Sequence, residues 1–407
     1  MSVQSPIIAN RASLKFSALP PLALYIHIPW CLRKCPYCDF NSHEVARGAG
    51  SEIPEQAYVE ALIADFEQTL PQVWGRRISS VFFGGGTPSL LSGAAVDTIL
   101  AAVRARLPLN PDAEVTLEAN PGTVEAGRFR DYRAAGVNRL SLGIQSFNPC
   151  HLKALGRIHD DVEARRAIDI ARDHFENFNL DLMYGLPQQT PGEALADIET
   201  ALTFAPPHLS AYHLTLEPNT YFHRYPPKLP DDDTAADMQT EIEALLAAQG
   251  YEHYETSAFA QPGAVCKHNL NYWLFGDYIG IGAGAHGKIS FSQRVLREAR
   301  YRQPKQFMEM ANRGNAVQES HEVGTEEIGF EFMMNALRLN GGFDLGLFAE
   351  RAGVPLTAVL QPLELAERRG FITRDHRQLQ PTLLGKRFLN ELLQIFLPEK
   401  NGVNTIK

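Results

Sequence analysis

The chain has 407 residues, 44% of them apolar, and a formal net charge of −9. These values predict a globular protein with one large and one small domain, and the acidic balance argues against nucleic acid as a general partner. No run of about 18 apolar residues predicts a membrane span, and no secretory signal pattern opens the chain. We therefore expect a cytoplasmic protein, with peripheral contact at the inner face of a membrane left open.

From residue 21 to about 250, apolar strand-like runs alternate with helical patterns, after a mixed lead-in over residues 1–20. The strand-like runs are Leu22–Ile28, 78–83, 114–118, 138–144, 179–184 and 209–216. The helical patterns cover about 54–70, 92–106, 123–134, 160–175, 192–204 and 232–249. This alternation, with nearly continuous apolar strands, predicts a parallel sheet covered by helices.

Polar and glycine-rich groups follow successive predicted strands. A cysteine-rich loop follows the first strand and a Gly-Gly-Gly-Thr-Pro turn the second, and Glu118, Gln145 and Asp181 lie at or near the ends of the next three. A doubly wound sheet concentrates its ligand groups at one switch point, whereas a barrel draws them from several strand ends. We therefore predict an α/β fold over 21–250 with a partial (β/α)6-type barrel.

The pattern changes in the last third of the chain. Residues 266–273 read Cys-Lys-His-Asn-Leu-Asn-Tyr-Trp, and 278–287 are rich in glycine. We assign 251–322 to an extension that carries this histidine-containing stretch, with 290–322 as a connector. Helical patterns return over 323–400, interrupted by a strand pair, as in a winged-helix module.

Such modules often bind DNA, but the C-terminal segment has no dense basic stripe. Packing or covering of a substrate is therefore the favoured role. We predict a smaller, mainly helical, winged-helix-like C-terminal domain with no nucleic-acid partner.

Three of the five cysteines, Cys31, Cys35 and Cys38, form a C-x3-C-x2-C pattern directly after the first predicted strand. Thiolates this close on a loop are more often metal ligands than disulfide partners. Zinc usually takes a closed set of four ligands in paired spacings, and no second pair occurs in the sequence. A [4Fe–4S] cluster held by three cysteines leaves one iron with an open position. The alternatives are a structural zinc loop and a chance clustering of cysteines.

Other candidates lie on the strand–helix turns. The glycines of 84–88 can expose backbone groups to a ligand, although a tight turn is the alternative. Glu118 can hold hydroxyl groups through charge-assisted hydrogen bonds, and its alternative is a cap or an ion pair. Gln145, Arg157 and Asp181 would point into the same barrel mouth, each with a structural alternative.

These motifs together resemble the radical S-adenosylmethionine (SAM) superfamily and, within it, the coproporphyrinogen dehydrogenase-like (HemN-like) family. The segments that carry the resemblance are Y-I-H-I-P-W-C, G-G-G-T-P-S, L-E-A-N-P, S-L-G-I-Q-S-F and D-L-M-Y-G-L-P. It covers about residues 20–395 and implies a [4Fe–4S] cluster on the three cysteines, with SAM at the open iron. It implies that one SAM contacts Tyr25, Gly85 and Glu118. It implies a second SAM site lined by Tyr37, Gly86, Thr87, Gln145, Arg157 and Asp181.

Two departures separate the chain from the oxygen-independent coproporphyrinogen III dehydrogenase of this family. That enzyme has a further cysteine where Phe40 stands here, and a longer segment ahead of the cluster. Both departures match the HemW branch, whose members are heme chaperones, and residues 268–273 have the H-N-x-x-Y-W form of that branch. The resemblance therefore implies heme as a ligand and acceptor heme proteins as partners, respiratory and membrane-bound ones among them. A homodimer is left open.

Within this branch, the heme-contact candidates are His268, Asn269, Tyr272, Trp273 and Cys266. Heme iron accepts an imidazole as an axial ligand, and the aromatic residues offer flat apolar surface. The arrangement is not C-x-x-C-H, so no c-type attachment is implied. The alternative for His268 is a histidine packed in the core. We assign structural roles to His27, His286 and Cys150, with His27 close enough to the cysteine loop to support the ligands.

The expectation is thus a heme chaperone that carries a SAM-coordinated [4Fe–4S] cluster. Two enzymatic alternatives stay open. One is oxidative decarboxylation of coproporphyrinogen III, against which Phe40 argues. The other is a different radical SAM reaction on a tetrapyrrole, such as methyl transfer.

Overall fold

The computed structural model describes residues 14–45, 53–122 and 126–398. The strands in these ranges are β1 (Leu22–Ile28), β2 (Trp30–Cys31), β3 (His43–Glu44), β4 (Ile78–Gly85), β5 (Leu109–Ala119), β6 (Arg139–Gln145), β7 (Asn177–Tyr184), β8 (His208–His213), β9 (Glu252–Glu255), β10 (Ala258–Ala260), β11 (Asp277–Ile281), β12 (His286–Ser290), β13 (Val295–Arg300), β14 (Val317–Glu322), β15 (Phe343–Asp344), β16 (Ile372–Arg374) and β17 (Gln378–Pro381).

The α-helices in the same ranges are α1 (Glu55–Val73), α2 (Gly93–Arg106), α3 (Phe129–Ala135), α4 (Pro149–Ala154), α5 (Asp161–His174), α6 (Pro191–Leu202), α7 (Tyr221–Arg224), α8 (Asp232–Ala248), α9 (Lys267–Trp273), α10 (Pro304–Asn312), α11 (Ile328–Ala336), α12 (Leu345–Ala352), α13 (Leu360–Arg368), α14 (Leu383–Arg387) and α15 (Leu389–Gln394). Short 3-10 turns lie at Pro88–Leu90 and Leu356–Val359. The predicted helix over 123–134 begins outside the described residues.

One large sheet organises the fold, with the strand order β14-β13-β12-β11-β1-β4-β5-β6-β7-β8-β10-β9. Its six central strands, β1 and β4 to β8, run parallel, and α-helices connect most of them. On β6, Leu140, Leu142 and Ile144 join the main core, while the residues between them face an interior cavity. One side of β6 therefore packs into the hydrophobic core and the other side faces the cavity. The predicted α/β partial barrel is confirmed.

Local sequence signals explain where several helices begin and end. Asp160 caps α5 in a reciprocal capping box with Glu163, and Thr190 does the same for α6, which has Pro191 as its first residue. Side-chain oxygens at these positions satisfy backbone N–H groups that the helix leaves free. Gly136 ends α3 with a φ of 109°, a conformation that favours glycine.

The prediction of a connector over 290–322 is wrong. β13 and β14 pair antiparallel and extend the large sheet beyond β12, and α10 packs against α1. A buried ion pair anchors this extension, because Arg300 on β13 donates from Nε to Asp65 on α1 at 3.1 Å. Residues 251–322 are therefore largely an addition to the sheet.

The C-terminal segment has a separate hydrophobic core. Phe332 on α11 lies at its centre, with ring contacts to Phe343 and Phe348. The core also includes Phe275 and Val295, which belong to the preceding extension. Helices around the small sheet of β15, β17 and β16 match the expected winged-helix-like arrangement. The domain boundaries at 20, 250 and 322 stay a prediction.

Candidate functional site

The barrel contains a cavity of about 1010 Å³, at the upper end of the roughly 300–1,000 Å³ common for small-molecule sites. It brings together residues that are far apart in the sequence. The predicted site residues that line it are Tyr25, Cys31, Cys35, Tyr37, Cys38, Gly85, Gly86, Thr87, Glu118, Gln145, Arg157, Asp181, His268, Asn269, Tyr272 and Trp273. The exception among the candidates is Cys266, which does not line the cavity.

The three cysteines of the loop after β1 are half-buried free thiols. Thr87 donates from Oγ1 to the Cys31 sulfur at 3.4 Å, and Arg157 donates from Nη1 to the Cys35 sulfur at 3.7 Å. Hydrogen bonds to sulfur stabilise the negative charge of a cluster ligand. Burial raises the pKa of the Cys31 thiol, so a bound metal is what would keep that sulfur ionised.

The composition of the donor set bears on the two metal hypotheses. The three thiols line the cavity together. A structural zinc site usually takes four protein ligands, whereas a [4Fe–4S] cluster held by three thiolates keeps one iron open. Three thiols beside an open cavity are the donors that such a cluster uses.

The glycine-rich turn after β4 lies directly beside β1 and the start of the cysteine loop. A Cβ added to Gly85 would lie 2.5 Å from the His27 ring, and one added to Gly86 would lie 2.6 Å from the carbonyl oxygen of Trp30. Gly85 also has a φ of 114°, which strains any residue with a side chain. Packing alone thus requires both glycines, in addition to any ligand contact.

Glu118 is the second-last residue of β5, lines the cavity and accepts the Gly85 N–H at 3.3 Å. Burial, followed by the negative charge of Asp181, raises the pKa of Glu118 to about 8. Asp181 itself accepts a bond from Ser141 at 2.9 Å, and burial raises its pKa. Perturbed carboxyl groups in a cavity are characteristic of functional sites.

Arg157 connects the cysteine loop to the strand ends. Its Nη2 donates to the Asn120 side chain and to the Gly143 carbonyl, both at 2.7 Å. Asn120 donates in turn to Thr87 at 3.1 Å. The nearby Gln145 has a φ of 67°, a conformation that is uncommon outside glycine and that clusters at functional sites.

The histidine-containing stretch forms α9, which packs against the inner side of β4. His268 is only 1% exposed, and its ring stacks on Phe82 with the centroids 4.9 Å apart. Its Nδ1 is 3.0 Å from the Ser80 hydroxyl, and its Nε2 is 3.1 Å from the Tyr272 hydroxyl. Burial, and then the charge of Arg139, lower the pKa of His268 to about 3. This histidine is therefore neutral, with both nitrogens already partnered.

Cys266 has a packing role, contrary to its selection as a heme ligand. It is 1% exposed and donates from Sγ to Glu114 at 3.5 Å. Burial raises the pKa of its thiol to about 12, so the reactive thiolate is disfavoured. Because Cys266 does not line the cavity, the structure supports packing as its role.

The sequence predicts structural roles for His27, His286 and Cys150. Both ring nitrogens of His27 are hydrogen-bonded. Nδ1 lies 3.0 Å from the Tyr25 hydroxyl, and Nε2 donates to the Asn41 carbonyl at 2.9 Å. His27 thereby joins β1 to the end of the cysteine loop. His27 and His286 both line the cavity, whereas Cys150 is exposed and does not line it. Their structural roles stay a prediction.

Sequence reasoning missed a set of polar residues deeper in the barrel. These are Arg139, Asn179, His208, Ser210, Tyr212, Glu255 and Arg338. A signal was present, because polar residues alternate with apolar ones along β6 to β8, as in N-F-N-L-D-L. Period-two alternation in a barrel strand marks the side that faces the interior.

Two family models match separate parts of the chain. The Radical SAM superfamily model matches residues 25–201, and the HemN C-terminal domain matches residues 325–388. A solved structure of coproporphyrinogen III oxidase (HemN) from Escherichia coli has a TM-score of 0.78 and 24% identity to this chain. The match covers 93% of this chain and 90% of that one, and it supports the fold. The fold is thus that of the radical SAM superfamily.

Curated relatives give a closer classification. Heme chaperone HemW of Escherichia coli (strain K12) is 51% identical over 383 residues, which cover 94% of this chain and 99% of the relative. Heme chaperone HemW of Bacillus subtilis (strain 168) is 35% identical, with 92% and 99% covered. A mouse protein, radical S-adenosyl methionine domain-containing protein 1, mitochondrial, is 36% identical, with 94% and 89% covered. The chain therefore belongs to the HemW family, as the sequence motifs predicted.

Proposed function

We propose that the protein binds heme in the barrel cavity and transfers it to acceptor heme proteins, respiratory ones among them. The proposal is carried by the 51% identity to Heme chaperone HemW of Escherichia coli over nearly the full length of both chains. The size of the cavity and the flat side chains of Tyr272 and Trp273 on its wall support a planar apolar ligand. We place this activity in the cytoplasm; none of the helices in the described ranges has the length and apolar character that a membrane crossing requires.

The proposed cofactors are a [4Fe–4S] cluster on Cys31, Cys35 and Cys38, and SAM. When bound, the cluster supplies an electron and an open iron for the amino and carboxylate groups of SAM. The chain positions the sulfurs through Thr87 and Arg157. We assign the first SAM contact to Tyr25, Gly85 and Glu118, and a second site to the residues around Arg157.

The proposed heme contacts are the cavity-facing parts of Asn269, Tyr272 and Trp273. His268 supports them, because its Nε2 holds the Tyr272 hydroxyl. Axial ligation by His268 would require that this bond, or the one to Ser80, be broken. We therefore propose that His268 orients the aromatic wall.

A heme titration tests the main proposal. Purified protein with an anaerobically reconstituted cluster is titrated with heme and followed by visible absorbance, and coproporphyrinogen III turnover is measured on the same sample. Stoichiometric binding without decarboxylation is expected. Turnover without specific heme binding would favour the enzymatic alternative and contradict the proposal.

A cysteine variant tests the cluster. Replacing the three loop cysteines with serine should abolish the broad cluster absorbance and the bound iron and sulfide, while far-UV circular dichroism is unchanged. The matched control is Cys150→Ser, which alters an exposed thiol outside the cavity. Iron and sulfide retained by the triple variant would contradict the assignment.

A further inference from the structure

Arg139 is a buried cation on the inner side of the barrel. It is the first residue of β6, is 2% exposed and lines the cavity. Its Nε has no hydrogen-bond partner within the described ranges, and its guanidinium forms no ion pair with their carboxylates. A buried charge without a partner is costly, so proteins normally pair it. A ligand can supply the missing partner.

Three carboxyl groups, those of Glu114, Asp181 and Glu118, interact with the charge of Arg139 from a distance. Glu114 is occupied by the first backbone N–H groups of α9, at 3.1 Å each. Asp181 is occupied by two neutral side chains, at 2.9 and 2.8 Å. Glu118 accepts the Gly85 N–H at 3.3 Å. The three carboxyl groups reduce the electrostatic cost of the guanidinium, and each accepts a hydrogen bond from another donor.

Three further donors on the cavity wall also have no partner among the described residues. They are Nε of Arg157, Nε of Arg338 and Nε1 of Trp273. The Arg338 guanidinium lies over the Trp273 ring, 4.4 Å from its centroid, and its Nη2 is 3.8 Å from a Glu255 oxygen. Glu255 thus balances the positive charge of Arg338, whereas the positive charge of Arg139 has no such ion-pair partner among the described residues. A guanidinium binds a carboxylate with two parallel hydrogen bonds.

The strand register gives the depth of Arg139. Arg139 is level with Thr116 on β5, whereas Glu118 is level with Ser141, two residues further along. At about 3.3 Å per residue, Arg139 lies roughly 7 Å deeper in the barrel than Glu118. A group bound to Arg139 therefore belongs to the part of the ligand that extends farthest from the cysteine loop.

We propose that Arg139 binds a carboxylate of the cavity ligand, namely a propionate of the tetrapyrrole, and so fixes the orientation in which heme lies in the barrel. This inference rests on the proposed heme-binding function. The methionine carboxylate of SAM offers the same chemistry, but Arg139 lies below the proposed SAM contact at Glu118, and this depth favours the propionate.

Porphyrins with free and esterified propionates test the inference. Cluster-loaded protein is titrated with metal-free protoporphyrin IX and with its dimethyl ester, so that iron ligation plays no part. The wild-type protein should bind the acid more tightly than the ester. Arg139→Gln should weaken binding of the acid by about 30-fold or more, because the propionate is left buried and unpaired, and should leave ester binding unchanged. Arg139→Lys should recover part of the loss.

Arg130→Gln is the matched control, since it removes one positive charge from an exposed side chain. Equal binding of acid and ester by the wild-type protein would overturn the inference without any variant, as would unchanged acid binding by Arg139→Gln. A loss of SAM affinity with unchanged porphyrin binding would assign Arg139 to SAM. If the wild-type protein binds neither hemin nor protoporphyrin, the proposed heme-binding function is contradicted together with this inference. The outcomes named before contradict only the role of Arg139.

Discussion

Glu114 is expected to hold the histidine-containing helix in place. Its carboxylate, 5% exposed on β5, accepts the backbone N–H groups of Lys267 and His268 and the Cys266 thiol. A carboxylate at the start of a helix satisfies N–H groups that have no partner within the helix. Removing it should therefore destabilise α9 and the cavity wall that α9 forms.

The magnitude follows from the lost hydrogen bonds. Each buried donor left without a partner costs about 1–3 kcal/mol, and Glu114→Ala strands two backbone N–H groups. We expect a loss of about 3 kcal/mol in the free energy of unfolding. Glu114→Gln keeps one acceptor oxygen and should lose about half as much.

The assay is urea unfolding followed by far-UV circular dichroism, with the slope of the transition compared between variants. Asp112 provides the matched control, because it contacts the same Lys267 at 2.8 Å through an exposed ion pair. Exposed pairs contribute about 1 kcal/mol or less, so Asp112→Ala should change stability little. A Glu114→Ala variant as stable as Asp112→Ala would refute the reasoning.

Two further predictions concern the cavity and the glycine-rich turn. The pKa of Glu118 is raised from its ordinary 4.5 to about 8 in the folded protein. Because the folded state then holds a proton that the unfolded state has lost, the ligand-free protein should lose stability as the pH rises from about 4.5 to about 8. Glu118→Gln should remove that loss. Between about pH 6 and about pH 9, the Tm of the variant should therefore fall by about 2 °C less, or an even larger margin less, than the Tm of the wild-type protein. Parallel curves of Tm against pH would contradict this prediction. Gly86→Ala should cost about 1–3 kcal/mol of stability from overpacking, because the new Cβ meets the Trp30 carbonyl at 2.6 Å. Gly192→Ala, with nothing within 4 Å of the added Cβ, is its control, and equal Tm values for the two variants would count against the predicted clash.

The central part of the fold was predictable because its strands are buried on both sides of the sheet. Apolar runs such as Leu22–Ile28 therefore stand out in the sequence. The strand Val317–Glu322 has no such run, since five of its six side chains are exposed. Backbone hydrogen bonds to β13 hold this strand in the sheet. Because hydrophobic periodicity reports only the burial of side chains, it cannot predict a strand that is held by backbone pairing.

The candidate site was predictable where a residue follows a strand in a recognisable motif. The motifs did not reveal the partners of His268, because Ser80 lies 188 residues away in the sequence. They also did not reveal that Cys266 is buried against Glu114 and does not line the cavity. Arg139 was not predicted as a site residue, because no motif marks a single arginine at the start of an apolar run. Only the curvature of the sheet shows that this position faces the interior.

The pairing of β1 has a consequence for synthesis of the chain. β1, which leads into the cysteine loop, pairs on one side with β4 and on the other with β11, where Tyr25 is level with Gly280. That second partner emerges from the ribosome roughly 250 residues later, which takes tens of seconds at about 5–20 residues per second. Until then, one edge of β1 exposes unpaired backbone groups that invite pairing with other chains. The cysteine loop is therefore synthesised well before the second neighbouring strand of β1, and we expect the free edge of β1 to be the part of the growing chain most prone to mispairing.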